Sequence, residues 1–235
     1  MGTPKETWKY FEFERQLWQD FLRAIKDDHG SLNQNDYNRL LYAFNIAKTA
    51  HRGKMRATGE PYIEHPVRVA LILSSECGIT NSRIIAAALA HDVVEDAFLN
   101  DGEDYDSSCD RAFEILSSQI GEEAAGWVIV LTKPRIDEVE IIDEEARLAA
   151  YMEGLVSDSE EVLLIKMADR LHNDRTLYGR AFDKQQEQLA ESGMYLNFFR
   201  ENQYRAQLYP VAYGLLVDLL IDQYQANQEE FKTSA

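Results

Sequence analysis

From Ile84 to Val94 the chain is apolar at every position except two, and those two are His91 and Asp92. A segment this apolar belongs inside a fold, and it carries an imidazole and a carboxylate in with it. Burying such groups without partners costs several kcal/mol, so the surrounding structure must supply partners or a cation. Glu95 and Asp96 follow at helical spacing. In one continuous helix His91 would stack over Glu95 and Asp92 over Asp96. Far downstream, Lys166-Met-Ala-Asp-Arg-Leu-His-Asn173 offers a further acid, Asp169, in a second apolar setting. Adjacent His and Asp make a poor core and a good metal site.

Apolar residues recur at three- and four-residue intervals through Trp8, Phe11, Trp18, Phe21, Leu22 and Ile25, the stripe of an amphipathic helix. Further helices are expected from about Asp36 to His51 and from His65, which would sit at the N-cap ahead of Pro66, with Gly78 at the end. Asn81 or Thr80 can cap the helix that leads to His91. Two short helices broken near Gly121 are expected between Asp106 and Arg135, then helices over Asp143–Val156 and Ser159–His172. Strong helix formers in Lys-Met-Ala-Asp-Arg-Leu make Val162–Ile165 part of a helix rather than a strand. Glu201 to Gln228 reads as helical with a kink at Pro210. Strand alternation, a Gly-rich nucleotide loop and internal repeats are not evident, so the expected class is all-α, with residues 1–235 as one domain. Leu99–Asp110 and Lys133–Asp143 read as acidic loops. Asp101, Glu103, Asp104 and Asp106 match a calcium loop in composition only, because the downstream glutamate of an EF-hand is missing.

The formal charge of −17 disfavours nucleic acid and anionic membranes as partners, since both are bound by clustered Lys and Arg. A small-molecule partner is the expectation, and the oligomeric state is not legible. Cys77 and Cys109 are too few for a disulfide framework, which points to a cytoplasmic address. The N-terminus lacks a signal-peptide core, and Glu6 stands where a myristoylation signal needs Ser or Thr. The most apolar stretch, Tyr209 to Ile221, is interrupted by Asp218 and is too short to span a bilayer.

The nitrogen and oxygen donors of His65, His91, Asp92 and Asp169 suit a borderline divalent metal such as manganese, iron, cobalt or zinc. Two aspartates would neutralise the ion and leave positions open for water and a substrate oxygen, the layout of a hydrolase. Glu95 or Asp96 could then take or relay a proton. His172 and His51 read as packing or hydrogen-bonding groups, and His29 as a surface residue. Between His51 and His65 the loop concentrates Arg52, Lys54 and Arg56 in an acidic protein, which suits a phosphate. The alternative is a solvated basic loop.

The segments Arg56-Ala-Thr-Gly-Glu-Pro-Tyr-Ile-Glu-His-Pro66, His91-Asp-Val-Val-Glu-Asp96 and Lys166–Asn173 together resemble the hydrolase domain of the Rel/Spo alarmone enzymes, within the HD superfamily. The three motifs stand in order over about residues 45–177. The resemblance implies an all-helical HD-domain bundle that removes the 3′-pyrophosphate of ppGpp or pppGpp with manganese, leaving GDP or GTP. It implies metal ligands His65, His91, Asp92 and Asp169, a catalytic pair Glu95 and Asp96, and nucleotide contacts at Arg56, Thr58, Asn173 and Thr176. Full-length members also carry a synthetase domain, for which 235 residues leave no room, so the small hydrolase-only members are the better match. Members often have Lys after the Arg of the first motif, whereas Ala57 and Thr58 stand here, which leaves guanine preference open. Two other readings stay in play. One is an HD phosphatase for another nucleotide, such as the 2′-phosphate of NADPH; the other is a non-catalytic nucleotide sensor.

Overall fold

The computed structural model describes residues 4–99, 104–133 and 144–234. Its α-helices are α1 (Pro4–His29), α2 (Gln34–Ala50), α3 (Glu64–Leu71), α4 (Ser82–Ala90), α5 (Val93–Ala97), α6 (Tyr105–Ile120), α7 (Glu122–Leu131), α8 (Glu144–Ser157), α9 (Glu160–Arg175), α10 (Phe182–Glu201) and α11 (Pro210–Ser234). A π-helical turn, Ile72–Glu76, prolongs α3. Among the described residues the only β-pairing is an isolated bridge between Met55 and Pro61. The class is all-α, and no described helix is long and apolar enough to cross a membrane.

Local chemistry sets most boundaries. Asn33 starts α2 by accepting the Asp36 N–H at 2.9 Å, and Asn81 starts α4 by accepting that of Arg83 at 3.0 Å. Asp104 caps α6 through the Ser107 N–H, so the expected acidic loop is helical from Tyr105 onward, while Asp101 and Glu103 lie outside the described residues. So does nearly all of the second acidic loop, from residue 134 to 143. Gly121 separates α6 from α7 at φ +93°, a conformation that side chains with a Cβ resist.

Three boundaries differ from expectation. His65 is not the N-cap of α3 but its second residue, because the His65 N–H already bonds to Tyr62 O and that of Glu64 to Pro61 O, closing the turn earlier. Pro210 does not kink a helix but begins one: the preceding chain leaves α10 in a 3₁₀ turn, and the Glu160 carboxylate gathers the N–H groups of Gln207, Leu208 and Tyr209 ahead of α11. The third is at His91 and Asp92, where α4 ends and α5 starts afresh. In α1 the expected stripe packs through Phe21 and Ile25, but Phe11 remains exposed.

Two helices form the centre. In α4 every residue but Arg83 is buried, against α2, α3 and α7. From Val162 to Asp169, α9 is likewise buried all round, against α3, α7, α10 and α11. Helices so nearly covered have little solvent face. The polar groups they carry, His91 at the end of α4 and Asp169 in α9, meet inside the fold.

Candidate metal centre and substrate cavity

His91 is fixed first by its own helix. Its Nδ1 lies 2.8 Å from Ala88 O, so Nδ1 carries a proton and Nε2 is the nitrogen left to serve as a ligand once deprotonated. That Nε2 is buried without a hydrogen-bond partner. Around it, Asp92 Oδ2 lies at 3.2 Å and Asp169 Oδ1 at 3.7 Å, while His65 Nε2 sits 3.5 Å from the former and 3.2 Å from the latter. One donor atom each from His65, His91 and Asp169 lies within 4.8 Å of the others. A buried ring nitrogen without a hydrogen-bond partner among the described residues, facing a second imidazole and two carboxylates, is what a divalent cation fits.

Outer partners aim these groups. His65 Nδ1 faces His172 Nδ1 at 2.8 Å, and burial together with its cationic neighbours pushes His172 down to about 3, so His172 accepts and the His65 Nε2 stays turned inward. Tyr62 donates its hydroxyl to Asp92 Oδ2 at 2.8 Å. Lys166 and Asn173 donate to the two oxygens of Asp169, at 2.9 and 2.7 Å. Burial works against the Asp169 carboxylate, but Lys166, His65 and His91 outweigh it and hold it well below the usual range. Burial likewise opposes a charged His91, yet Asp92 and Asp169 outweigh it and raise the ring well above its ordinary value in the metal-free protein.

The centre opens into a cavity of about 660 Å³. Its floor is one stripe of α9, Lys166, Asp169, Arg170 and Asn173, continued by the C-cap Thr176. One wall is the loop before α3, with Arg56 donating to Thr176 Oγ1 at 2.8 Å and to Asn173 Oδ1 at 3.2 Å. Thr58 also lines this end and donates to Glu60 at 2.5 Å. The opposite wall is α10, which runs antiparallel to α9: Gln188 reaches Asn173 O, whereas Ser192 and Glu191 reach Arg170. Arg180 and Lys184 stand near the Thr176 end of that wall, and Lys133 completes the rim. Lys133 is lowered by the like charge of Lys166 and then by burial, which makes the spot receptive to an anion.

The structure brings His65, His91, Asp92, Asp169, Glu95, Arg56, Thr58, Asn173 and Thr176 to this cavity. Asp96, Arg52 and Lys54 are not among its lining residues. Lys54 turns to Asp96 at 2.8 Å, and Arg52 lies exposed beside Tyr10 and Glu14 of α1. The continuous helix expected through His91 to Asp96 does not form: Asp92 takes φ −98°, ψ 0°, ending the α4 ladder, so Glu95 and Asp96 point to different neighbours. Glu95 Oε1 accepts the Lys133 N–H at 2.8 Å, and burial, then the Asp92 charge, raise its carboxyl. Residues that sequence reasoning passed over are Tyr62, Lys133, Arg170, Arg180, Lys184 and the proton-accepting role of His172. Of these only Arg170 carried a signal, as a cation, like Lys166, within an otherwise buried helix.

Residues 43–196 match the family model described as HD domain. The chain belongs to the HD domain family. Curated relatives of this HD-domain chain include a probable GTP diphosphokinase, RSH3, of Arabidopsis thaliana, 33% identical over 72% of the chain and 22% of the relative. The bifunctional (p)ppGpp synthase/hydrolase SpoT of Escherichia coli is 32% identical over 74% of the chain and 22% of its own length. A guanosine-3′,5′-bis(diphosphate) 3′-pyrophosphohydrolase of Aquifex aeolicus is 35% identical over 58% and 17%. The chain thus spans about a fifth of the curated relatives it matches. A solved structure described as a metazoan ortholog of SpoT that hydrolyzes ppGpp shares the fold, with TM-score 0.55 and 24% identity over 79% of this chain and 94% of that one.

Proposed function

We propose that this chain is a manganese-dependent pyrophosphohydrolase of guanosine 3′,5′-polyphosphates, cleaving ppGpp or pppGpp with water to give GDP or GTP and pyrophosphate. The observation that carries the reading is the convergence of His65, His91, Asp92 and Asp169 on one point of a cavity whose remaining walls are rich in cations. The names of the SpoT and Aquifex relatives supply the substrate class. The two free cysteines, Cys77 and Cys109, accord with the cytoplasmic setting included in this reading.

His65, His91, Asp92 and Asp169 would hold the ion, whose chemistry when bound is to acidify water and polarise a phosphoryl oxygen. The chain's own groups do the rest. Arg56, braced by Asn173 and Thr176, offers a fixed fork of donors at the nucleoside end, with Thr58 beside it. Lys133 offsets phosphate charge at the other end, and Arg170, tied to Glu191 and Ser192, keeps its wall in place. Glu95 faces the cavity with a raised carboxyl, suited to taking a proton and returning it.

Chromatography of the products after incubating manganese-loaded protein with ppGpp tests the reading, with Asp92→Ala as control. GDP and pyrophosphate from the wild type alone support it; unchanged ppGpp, or full turnover by metal-free Asp92→Ala protein, refutes it. A second reading rests on Ala57, which lines the cavity where many relatives of the alarmone type place a lysine. It is a phosphatase acting on NADPH, and orthophosphate in place of pyrophosphate would identify it.

A further inference from the structure

Both oxygens of Asp96 are committed away from the cavity. Oδ2 accepts from the Nδ1 of His51 at 2.7 Å, and Oδ1 pairs with the Nζ of Lys54 at 2.8 Å. His51 is fully buried, its ring rests against that of Tyr62 at 4.8 Å, and its Nε2 has no hydrogen-bond partner. Among the described residues the ring's one polar contact is therefore Asp96, an expensive arrangement unless that contact matters.

The loop so gripped is internally braced. Lys54 N–H bonds to His51 O, Tyr62 N–H to Lys54 O, and Arg56 N–H to Glu60 O. Whatever fixes His51 and Lys54 is thus passed to both ends of the loop's business: Tyr62, which holds Asp92, and Arg56, which holds Asn173 and Thr176. Glu95, by contrast, lines the cavity from the neighbouring position of the same helix.

We propose that Asp96 is a positioning residue and not a catalytic one: with His51 and Lys54 it clamps the 51–65 loop to α5, keeping Arg56 in register with Glu95 across the cavity. The proposal rests on the hydrolase reading for its kinetic test but not for its structural one. General acid–base catalysis contributes about 10²–10⁴-fold, so a carboxylate in that role and one in a clamp part widely on substitution.

The test compares Glu95→Gln, Asp96→Asn, His51→Gln, Lys54→Met and the His51→Gln/Asp96→Asn double variant on ppGpp with manganese. Glu95→Gln should lower kcat by about a hundredfold or more and remove one limb of its pH profile. Asp96→Asn and His51→Gln should each raise KM about tenfold, change kcat by less than about fivefold, and leave the kcat pH profile in place. The double variant should be no worse than either single one, since the two act as one unit. Lys54→Met removes only a half-exposed arm and should show a smaller KM rise, which keeps the test informative if the His51 variants misfold. A hundredfold loss of kcat in Asp96→Asn, or a displaced pH limb, overturns the proposal. Should the wild type leave ppGpp intact, the hydrolase reading falls and the clamp is judged by trypsin alone. Cleavage after Arg52 should then be at least about fivefold faster in Asp96→Asn and His51→Gln than in wild type or Glu95→Gln, because a loosened loop lets the backbone around this already exposed side chain enter the protease. Equal rates in all four overturn the clamp.

Discussion

Lys166→Met isolates the electrostatics beneath the metal centre. Lys166 Nζ lies 2.9 Å from Asp169 Oδ2, and both side chains are less than a tenth exposed. The ammonium also lies over the rings of Tyr151 and Tyr195, at 5.4 and 5.6 Å. Methionine matches the stem in length and leaves no large cavity, so the loss is chiefly one of charge. At an effective dielectric near 20 the pair is worth about 6 kcal/mol, and removing one partner of a buried pair typically costs about 3–5 kcal/mol. For a chain of this size each kcal/mol moves Tm by about 2–4 °C, so metal-free Lys166→Met should melt about 6–20 °C below wild type at pH 7. The pH dependence arises from Asp169, whose folded pKa is depressed. A depressed carboxylate stabilises above its unfolded pKa of about 3.9 and loses that contribution as pH falls through the folded value. The gap should therefore be full at pH 7 and narrow below about pH 4. Saturating manganese should also narrow it at pH 7, because the ion's charge then compensates Asp169. Scanning calorimetry with and without metal checks all three; a metal-free drop under about 2 °C, or a gap that widens with manganese, refutes the reasoning.

Tyr62→Phe removes the hydroxyl that holds Asp92 and should weaken manganese binding about 10–100-fold by calorimetry, with little change in fold stability. Gly179→Ala would place a Cβ 2.3 Å from Thr58 Cγ2 and 2.9 Å from Thr58 N, so the loop carrying Arg56 must shift; KM should rise severalfold, and an unchanged KM would show that this close approach does not position substrate. Because His91 is raised in the metal-free protein, its proton must leave before the ring can ligate. Manganese binding should consequently tighten as pH rises towards that raised value and release about one proton at pH 7, which titrations in buffers of different ionisation enthalpy would reveal; no released proton would contradict the assignment of His91.

How far the sequence disclosed this molecule depended on where the decisive forces act. Helix existence was legible where caps and apolar periodicity coincide, as at Asn81 with Ile84 and Ile85, or at Gly121. The helix α10 was missed because the side chains it buries include Gln188 and Ser192 beside Tyr195, Leu196 and Phe199, a face half polar because it meets Arg170 and Asp174. No apolar period survives such a face. His65, His91, Asp92 and Asp169 were legible as a group because each is polar inside a motif or an apolar run, and the fold gathers them. Arg52 was misread as a cavity cation because charge along a loop says nothing about which way a side chain leaves it; the turn closed by Lys54 N–H on His51 O sends Arg52 to α1.

The break between α4 and α5 was the feature least available to sequence reasoning, since neither Gly nor Pro marks it, and it has the largest consequence. Had the helix continued, His91 would have stacked on Glu95 and Asp92 on Asp96, leaving two acids beside the wall that buries all of α4 but Arg83. Ending α4 at Ala90 frees the ring of His91 to bond back to Ala88 O, and the bridge-region backbone of Asp92 re-aims the helical turn that carries Glu95 and Asp96. Asp92 then meets His65 and Tyr62, Glu95 meets the cavity and Lys133, and Asp96 meets His51 and Lys54. Three acids within five positions thereby acquire three separate environments. The division of labour proposed above draws on that separation: one carboxylate to face a cation, another to exchange a proton and the third to hold a loop.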